Sequence, residues 1–354
     1  MVGLLAGLPA GEGGEAAVAR LLQLAADFQN QAGDTRHRFR WLAAVCAQDV
    51  VLGKLFESHL DALEILRELA GADGAAALVD AAGGGGGLEG LWGVWAAEGP
   101  GQLVAQTSDS SASPDAPCVV TGRKSWCSGA ARVAGALVTA RDADGVSGLF
   151  AVPLRHVGIT VTDEGWQAVG MAGTASVDVL FDRVPAWPVG QPGDYTGRPG
   201  FWHGAAGIAA CWHGAATAIA APLRDRVRQG GKDGQEADAL LAMHLGAVDC
   251  ALSASAHALR AAAAHIDLHR AGGLVFGRRE ALAVRGTTEG VALTVVEKVG
   301  RALGAEPLCR DERHARRVAD LSVFLRQSHA EWDLVALGRL AARQGQEDKD
   351  PWTL

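Results

Sequence analysis

The six cysteines, at positions 46, 118, 127, 211, 250 and 309, form no C-x-x-C pair, and no His/Cys cluster has zinc-ligand spacing. A structural zinc site and a vicinal dithiol are thereby excluded, and no metal site is expected. The thiols read as buried free cysteines of a reducing compartment. The apolar start MVGLLAGLPAGEGGEAA lacks a basic stretch and runs into acids, which argues against a secretory signal. No uninterrupted apolar run reaches membrane-spanning length. Excess positive charge is missing too: the net charge is −8 with a pI near 5.8. A uniformly basic surface is therefore ruled out, and nucleic acid is a poor partner. No repeat of solenoid length occurs. These absences predict a cytoplasmic protein with neither nucleic-acid binding nor membrane insertion.

What is present is an ordinary globular composition, 354 residues with 49% hydrophobic and 20% charged side chains, enough for two or three domains. Residues 15–29 and 38–70 carry apolar side chains at helical intervals, for example Leu21, Leu24, Leu42, Val45, Leu52 and Phe56. Gly71 reads as a helix stop, a short helix follows over Ala75–Ala82, and Gly83–Gly87 is a glycine joint. The period then changes. Short β-rich runs at 91–97, 103–107, 118–122, 136–141, 148–154, 158–162 and 176–184 are separated by turn residues. Asp142–Gly145 reads as a hairpin connection. Strands at this spacing make a compact sheet or barrel.

Beyond Val189 a Pro/Gly-rich stretch, QPGDYTGRPG, leads to four helical segments, Phe201–Arg228, Glu236–His269, Glu280–Leu303 and Arg310–Arg343. Short loops and Ala/Leu/Val faces predict an antiparallel bundle. The expected domains are 1–91 helical, 92–189 β, and 190–354 a four-helix bundle. Apolar residues on more than one bundle face predict a homo-oligomer, a dimer or tetramer.

Two segments carry the functional signal. VVTGRKSWCSGAARV (119–133) ends a β run in Trp126 and Ser128, and GWQAVGMAGTASVDVLFDRVP (165–185) is a small-residue turn feeding a strand. Residues i and i+2 of a strand share a face, so Trp126 and Ser128 are expected to address one ring system. A third segment, VWAAEGP (94–100), sets Ala96 and Ala97 before Glu98. Together with the helices–sheet–helices order, these segments resemble the acyl-CoA dehydrogenase superfamily over essentially the whole chain. The resemblance implies an α+β fold of that type, binding FAD between β-domain and bundle. It implies that Ser128 bonds the flavin N5/O4 edge and that Trp126 packs near the ring. It further implies main-chain contacts from Ala96 and Ala97, and Thr174 near the ligand. A pyrophosphate-binding Arg is usual at 229–241, where only Lys232 stands; the later loop Phe276–Gly277–Arg278–Arg279 offers Arg278 instead.

At the C-terminus Gly300, Gly304, Pro307, Leu308, Arg310 and Asp320 keep the superfamily outline, but DLSVFLRQSHAEWD (320–333) sets Ser328 where the catalytic glutamate is usual. A serine hydroxyl is too weak a base for an α-proton. His329, or Glu331 at i+3 on a continuous helix, is the expected base. The implied activity is α,β-dehydrogenation of an acyl thioester such as an acyl-CoA, with a separate electron acceptor. The alternatives are a flavin-dependent monooxygenase of the same fold, fed by a flavin reductase, and a non-catalytic homologue serving as a subunit of a hetero-oligomer. His265 and His269 at i, i+4 have no third ligand to make a metal site, and His203 and His213 read as polar tips at helix interfaces.

Overall fold

The computed structural model describes residues 15–31, 33–83, 90–106, 116–230, 235–344 and 352. Glycines 84–87 and Lys232 lie outside the described residues. The elements are α1 (Glu15–Gln29), α2 (Thr35–Gln48), α3 (Val50–Gly83), strands β1 (Leu91–Trp95), β2 (Leu103–Gln106), β3 (Cys118–Cys127), β4 (Val133–Arg141), β5 (Ser147–Pro153), β6 (Ile159–Val161) and β7 (Val177–Pro188), then α4 (Asp194–Gly197), α5 (Pro199–Gln229), α6 (Gln235–Arg270), α7 (Arg278–Leu303), α8 (Glu306–Arg310), α9 (Glu312–Phe324) and α10 (Glu331–Gln344). By packing the chain forms two compact units. Among the described residues, one holds those of 15–30 and 54–201; the other holds those of 31–53 and 202–344.

In the first unit the seven strands run in the order β1-β4-β2-β3-β7-β5, with β6 beside β7 and β5 also paired to β4. The β4–β5 pairing closes the path, so the sheet curls on itself. The hairpin expected at Asp142–Gly145 is present: Asp142 Oδ1 accepts from the amides of Asp144 and Val146, and Gly145 takes φ +79°. Helix α3 packs Ala62, Ile65 and Leu66 on Trp92, Leu137, Leu149 and Ala151 of the sheet. It also satisfies the free edge of β1. The amides of Trp92 and Val94 donate to His59 Nδ1 (3.1 Å) and Ser58 Oγ (3.0 Å). A sheet edge that would otherwise expose donors is thus covered by side chains of a helix. The break expected at Gly71 is a kink inside α3, where that residue takes φ +72°.

In the second unit α2 ends at Asp49, whose backbone is extended and whose carboxylate caps the first turn of α3 at the Leu52 amide. Gly214 of α5 lies so close to α2 that a Cβ there would stand 2.0 Å from the Ala43 carbonyl oxygen. Thr35 donates through both its amide and its hydroxyl to Asp267 of α6. The fourth bundle helix is not continuous as expected: residues 310–343 divide into α8, α9, a 3₁₀ turn at Leu325–Gln327, and α10. The cause is local, since Ser328 is extended and Ala330 takes φ +48°.

Two further expectations change. Cys250 and Cys309 are exposed, whereas Cys46, Cys118, Cys127 and Cys211 are buried as expected. Helices α5 and α6 are long and apolar enough by composition to span a membrane, although each carries charged residues. For α5 the cause is core burial, 67% of its most apolar window being inside the protein; for α6 the share is 11%.

Candidate functional site

In the β-unit the structure brings the two signal segments together. Strand β3 leaves extended geometry at Trp126, which takes φ +60°, and the pairing with β7 shifts register between Lys124 and Cys127. The alternation expected to put Trp126 and Ser128 on one face therefore does not operate. Trp126 is instead 44% exposed at the end of the sheet, and Ser128 follows the strand. The Ser128 carbonyl accepts from Trp95 Nε1 (3.1 Å), and the Gly129 amide donates to the Thr174 carbonyl (2.7 Å). Among the described residues, four of the five non-glycine residues with positive φ, Trp126, Met171, Ala175 and Arg183, lie in these two segments. Each such residue costs roughly 1–2 kcal/mol, and this concentration of strain is the pattern of a site held in shape by its surroundings.

A chain of hydroxyls links the segments. Thr174 Oγ1 donates to the Met171 carbonyl (2.7 Å), Ser176 Oγ lies 2.8 Å from Thr174 Oγ1, and Ser128 Oγ lies 2.9 Å from Ser176 Oγ. The direction of this chain is fixed by counting protons. A carbonyl only accepts, so the single Thr174 hydroxyl proton goes to Met171. Thr174 must then accept from Ser176, and Ser176 from Ser128. The Ser128 oxygen is left as an acceptor only. Thr174 and Ser176 are buried, so no water competes for their protons.

The turn after β1 completes this end of the sheet. Ala96 is half-buried and Ala97 exposed. Glu98 pairs with Arg141 at 2.8 Å, and a Cβ on Gly99 would stand 2.6 Å from that of Ser125 and 3.5 Å from the Trp126 ring. Ser125 Oγ is buried with no hydrogen-bond partner. Lys124 is buried as well; desolvation holds its pKa below the usual lysine value, and it donates to Thr139 Oγ1 at 2.7 Å. The Arg132 guanidinium bonds the Gly173 carbonyl. Sequence reasoning missed Trp95, Ser125, Met171 and Arg132, because their roles arise from the left-handed turns that fold the two segments onto each other.

In the bundle unit the expected base residues sit in the break before α10. Ser328 Oγ accepts from the Ala330 amide (3.1 Å), and Asp333 Oδ2 accepts from the His329 amide (3.0 Å). The His329 side chain is 81% exposed with Nδ1 3.5 Å from Asp333 Oδ1, and Glu331 is exposed in the first turn of α10. The helical spacing expected to relate Ser328, His329 and Glu331 does not apply across this break. Arg285 holds the segment in place. Its buried guanidinium donates to the Gln327 carbonyl (2.9 Å) and the Ala205 carbonyl (3.1 Å) and lies 4.8 Å from the Trp212 ring centre. No sequence signal marked Arg285, which stands in an apolar helix stripe.

Arg278 opens α7 rather than lying in a loop, and its guanidinium is over the Trp202 ring at 5.9 Å. Helix α7 begins there because Glu280 accepts the Gly277 amide. His203 Nε2 and His269 Nδ1 are 3.1 Å apart, and His213 Nδ1 is 3.1 Å from Ser255 Oγ. Burial, and then the Arg260 charge, lower the His213 pKa. Among the described residues no group of three or more His, Cys, Asp or Glu could hold a metal ion.

The order of elements and the two units define the acyl-CoA dehydrogenase-like fold. Similar solved structures include FMN-bound TdsC from Paenibacillus sp. A11-2, a dibenzothiophene monooxygenase, with a TM-score of 0.73 and 16% identity over 92% of this chain and 88% of that one. The methanesulfinate monooxygenase MsuC from Pseudomonas fluorescens gives a TM-score of 0.74 at 19% identity, over 92% of this chain and 88% of that one. KijD3 in complex with FMN and dTDP-3-amino-2,3,6-trideoxy-4-keto-3-methyl-D-glucose gives 0.74 at 17% identity, over 94% and 88% of the two chains. At these identities the likeness concerns the fold. No protein-family model and no curated protein matches the chain.

Proposed function

We propose that this chain is a flavin-dependent monooxygenase that takes up reduced FMN from a separate flavin reductase and oxygenates a small organic substrate. The observation that carries the reading is the direction of the hydroxyl chain. Ser128 Oγ can only accept, and a reduced flavin carries an N5–H donor that the oxidised form lacks. A site built on such an acceptor prefers the reduced cofactor as its incoming ligand.

The residues present fit a flavin. Trp126 is an exposed indole face, Ser125 Oγ is a buried polar atom still lacking a partner, and the Ala96–Gly99 turn leaves main-chain groups beside them. Ser128, Trp126, Ala96 and Ala97 would hold the ring, with Thr174 and Ser176 fixing the Ser128 proton. Reduced flavin, when bound, supplies the electrons that activate dioxygen.

The thioester dehydrogenase reading is less well supported. Ser328 caps the turn at Ala330, Asp333 is engaged with His329, and Glu331 is exposed, so the segment offers no buried carboxylate poised as an α-proton base. The compared proteins support the oxygenase alternative, because two of the named structures contain FMN and two are monooxygenases by name. FMN is accordingly proposed in place of FAD.

The test is a binding and turnover pair. Purified protein should bind reduced FMN at least tenfold more tightly than oxidised FMN under anaerobic conditions. With a flavin reductase, NADH and oxygen it should oxygenate members of a panel of small heteroaromatic, sulfur and amine substrates. Bound FAD that is bleached by an acyl-CoA would overturn the proposal in favour of thioester dehydrogenation. Absence of binding to any flavin would leave the non-catalytic subunit.

A further inference from the structure

Strand β1 lies at an edge of the sheet path: it pairs with β4 on one side and meets α3 on the other. Successive amides of a strand point to opposite edges, so Trp92, Val94 and then Ala96 aim their N–H groups away from β4. Helix α3 answers the first two. His59 Nδ1 accepts from Trp92 and Ser58 Oγ accepts from Val94, and both side chains are buried. Burial lowers the His59 pKa to about 4, so its ring nitrogen stays an acceptor at neutral pH. The third amide has no such partner. About one helical turn before Ser58 stands Leu55, which carries no acceptor and packs on Gly129, where a Cβ would lie 2.6 Å from Leu55 Cδ2. Among the described residues the Ala96 amide makes no hydrogen bond.

One edge of one strand is thus divided between a helix and a free donor beside the flavin site. Where Ala96 lies depends on how β1 is held. The pairing with β4 shifts register between Leu91 and Trp92, so the continuous ladder begins at the residue that His59 grips. From Trp92 to Trp95 the register is unbroken, and Ala96 follows directly. Trp95 then ties the end of the strand to the site, its Nε1 donating to the Ser128 carbonyl. Adjacent helix positions diverge by about 100°, and the Trp92 and Val94 amides are roughly 7 Å apart along the strand. One short hydroxyl and one longer imidazole suit that geometry. A buried amide left without its acceptor costs about 1–3 kcal/mol, so losing either one favours a shift of the strand toward another partner.

We propose that Ser58 and His59 are positioning residues for the flavin: by holding the Val94 and Trp92 amides they set β1 so that the next outward amide, Ala96 N–H, is presented to the flavin ring. This rests on the flavin-dependent reading above and on its assignment of Ala96 to the cofactor. A main-chain donor serves ring carbonyls, which oxidised and reduced flavin both carry. Ser58 and His59 therefore govern how tightly flavin of either form is held, whereas the choice between the two forms stays with Ser128.

Three variants test it. Ser58→Ala and His59→Leu each remove an acceptor, and His59→Gln supplies a different one. In the flavin-free proteins, hydrogen exchange should accelerate at Val94 in Ser58→Ala and at Trp92 in His59→Leu. Anaerobic titration should then show both variants binding reduced and oxidised FMN roughly fivefold more weakly, about the worth of one hydrogen bond, with the ratio of the two affinities unchanged. His59→Gln should recover most of the loss seen in His59→Leu. Urea unfolding separates a structural role from a positioning one: lower stability with unchanged FMN affinity in both acceptor-less variants would overturn the proposal. A changed ratio would also overturn it, since the damage would then reach Ser128 rather than Ala96. Should His59→Leu not fold, Ser58→Ala decides alone, because its hydroxyl is small and its loss leaves the helix intact. Wild-type protein that binds no flavin would reject the flavin reading and this proposal with it, whereas equal FMN binding by wild type and Ser58→Ala would reject this proposal alone.

Discussion

At the scale of single residues the site turns on protons. Removing the Ser176 hydroxyl leaves the Ser128 proton free to point outward, so Ser128 becomes a donor as well as an acceptor. Ser176→Ala should therefore improve binding of oxidised FMN relative to reduced FMN by about tenfold, a shift of ~1.4 kcal/mol in the ratio. Anaerobic titration of both redox forms reads that ratio directly; an unchanged ratio would reject the role given to the chain of hydroxyls. Trp126→Ala and Ser128→Ala should each lower FMN retention by a similar factor in equilibrium dialysis, and unchanged stoichiometry in both would remove these residues from the site. His59 makes a different prediction. Its Nδ1 accepts the Trp92 amide and must be unprotonated there, and burial lowers its pKa from 6.5 to about 4. A lowered folded pKa means that the unfolded chain binds more protons in that interval. The stability His59 contributes is complete above pH 6.5 and is lost as the pH falls toward 4, by about 3 kcal/mol at most. Urea unfolding at pH 7.5 and pH 5 should show the loss, and it should be smaller in His59→Gln.

Elements are held by a few close contacts. The approach of α5 to α2 at Gly214 leaves no room for a methyl group, since the Ala43 carbonyl would be 2.0 Å away. Gly214→Ala must push the helices apart, at a cost of about 1–3 kcal/mol, despite the gain in helix propensity. A lower urea midpoint with an unchanged slope would confirm it; equal or higher stability would show that the two helices can separate freely. Arg285 plays the corresponding part at the break before α10. Arg285→Met keeps much of the packing on Trp212 but leaves the Gln327 and Ala205 carbonyls without their donor. Hydrogen exchange of residues 325–333 should accelerate at least tenfold in this variant, while exchange in β3 and β7 stays unchanged.

For the whole molecule, the homo-oligomer expected from the apolar bundle faces would make stability depend on protein concentration. Each tenfold rise contributes ~1.4 kcal/mol per dimer. Against an unfolding entropy of roughly 1.5 kcal/mol/K for two chains of this length, the melting midpoint should rise about 1 °C per tenfold. A calorimetric series over two decades of concentration resolves that slope, and a flat series would argue for a monomer.

The sequence by itself determined the succession of helices, seven strands and helices, because hydrophobic period is a local property and each run carried its own turn residues. It also singled out Trp126, Ser128 and Thr174, since an aromatic–hydroxyl pair and a small-residue turn stand out against β-rich surroundings. The break at Ser328–Ala330 was not legible: the apolar pattern continues across it, and it is the 3₁₀ turn at Leu325–Gln327, the extended Ser328 and the left-handed Ala330 that interrupt the helix. Nor could strand alternation foresee Trp126, whose positive φ is enforced by the segments packed around it. The tertiary structure alone decided that Ser176 lies against Ser128, forty-eight residues away in the chain, and so fixed which hydroxyl keeps its acceptor free. Proton direction along a hydrogen-bonded chain depends on what stands at its far end, here the Met171 carbonyl, and no local pattern of residue types encodes that.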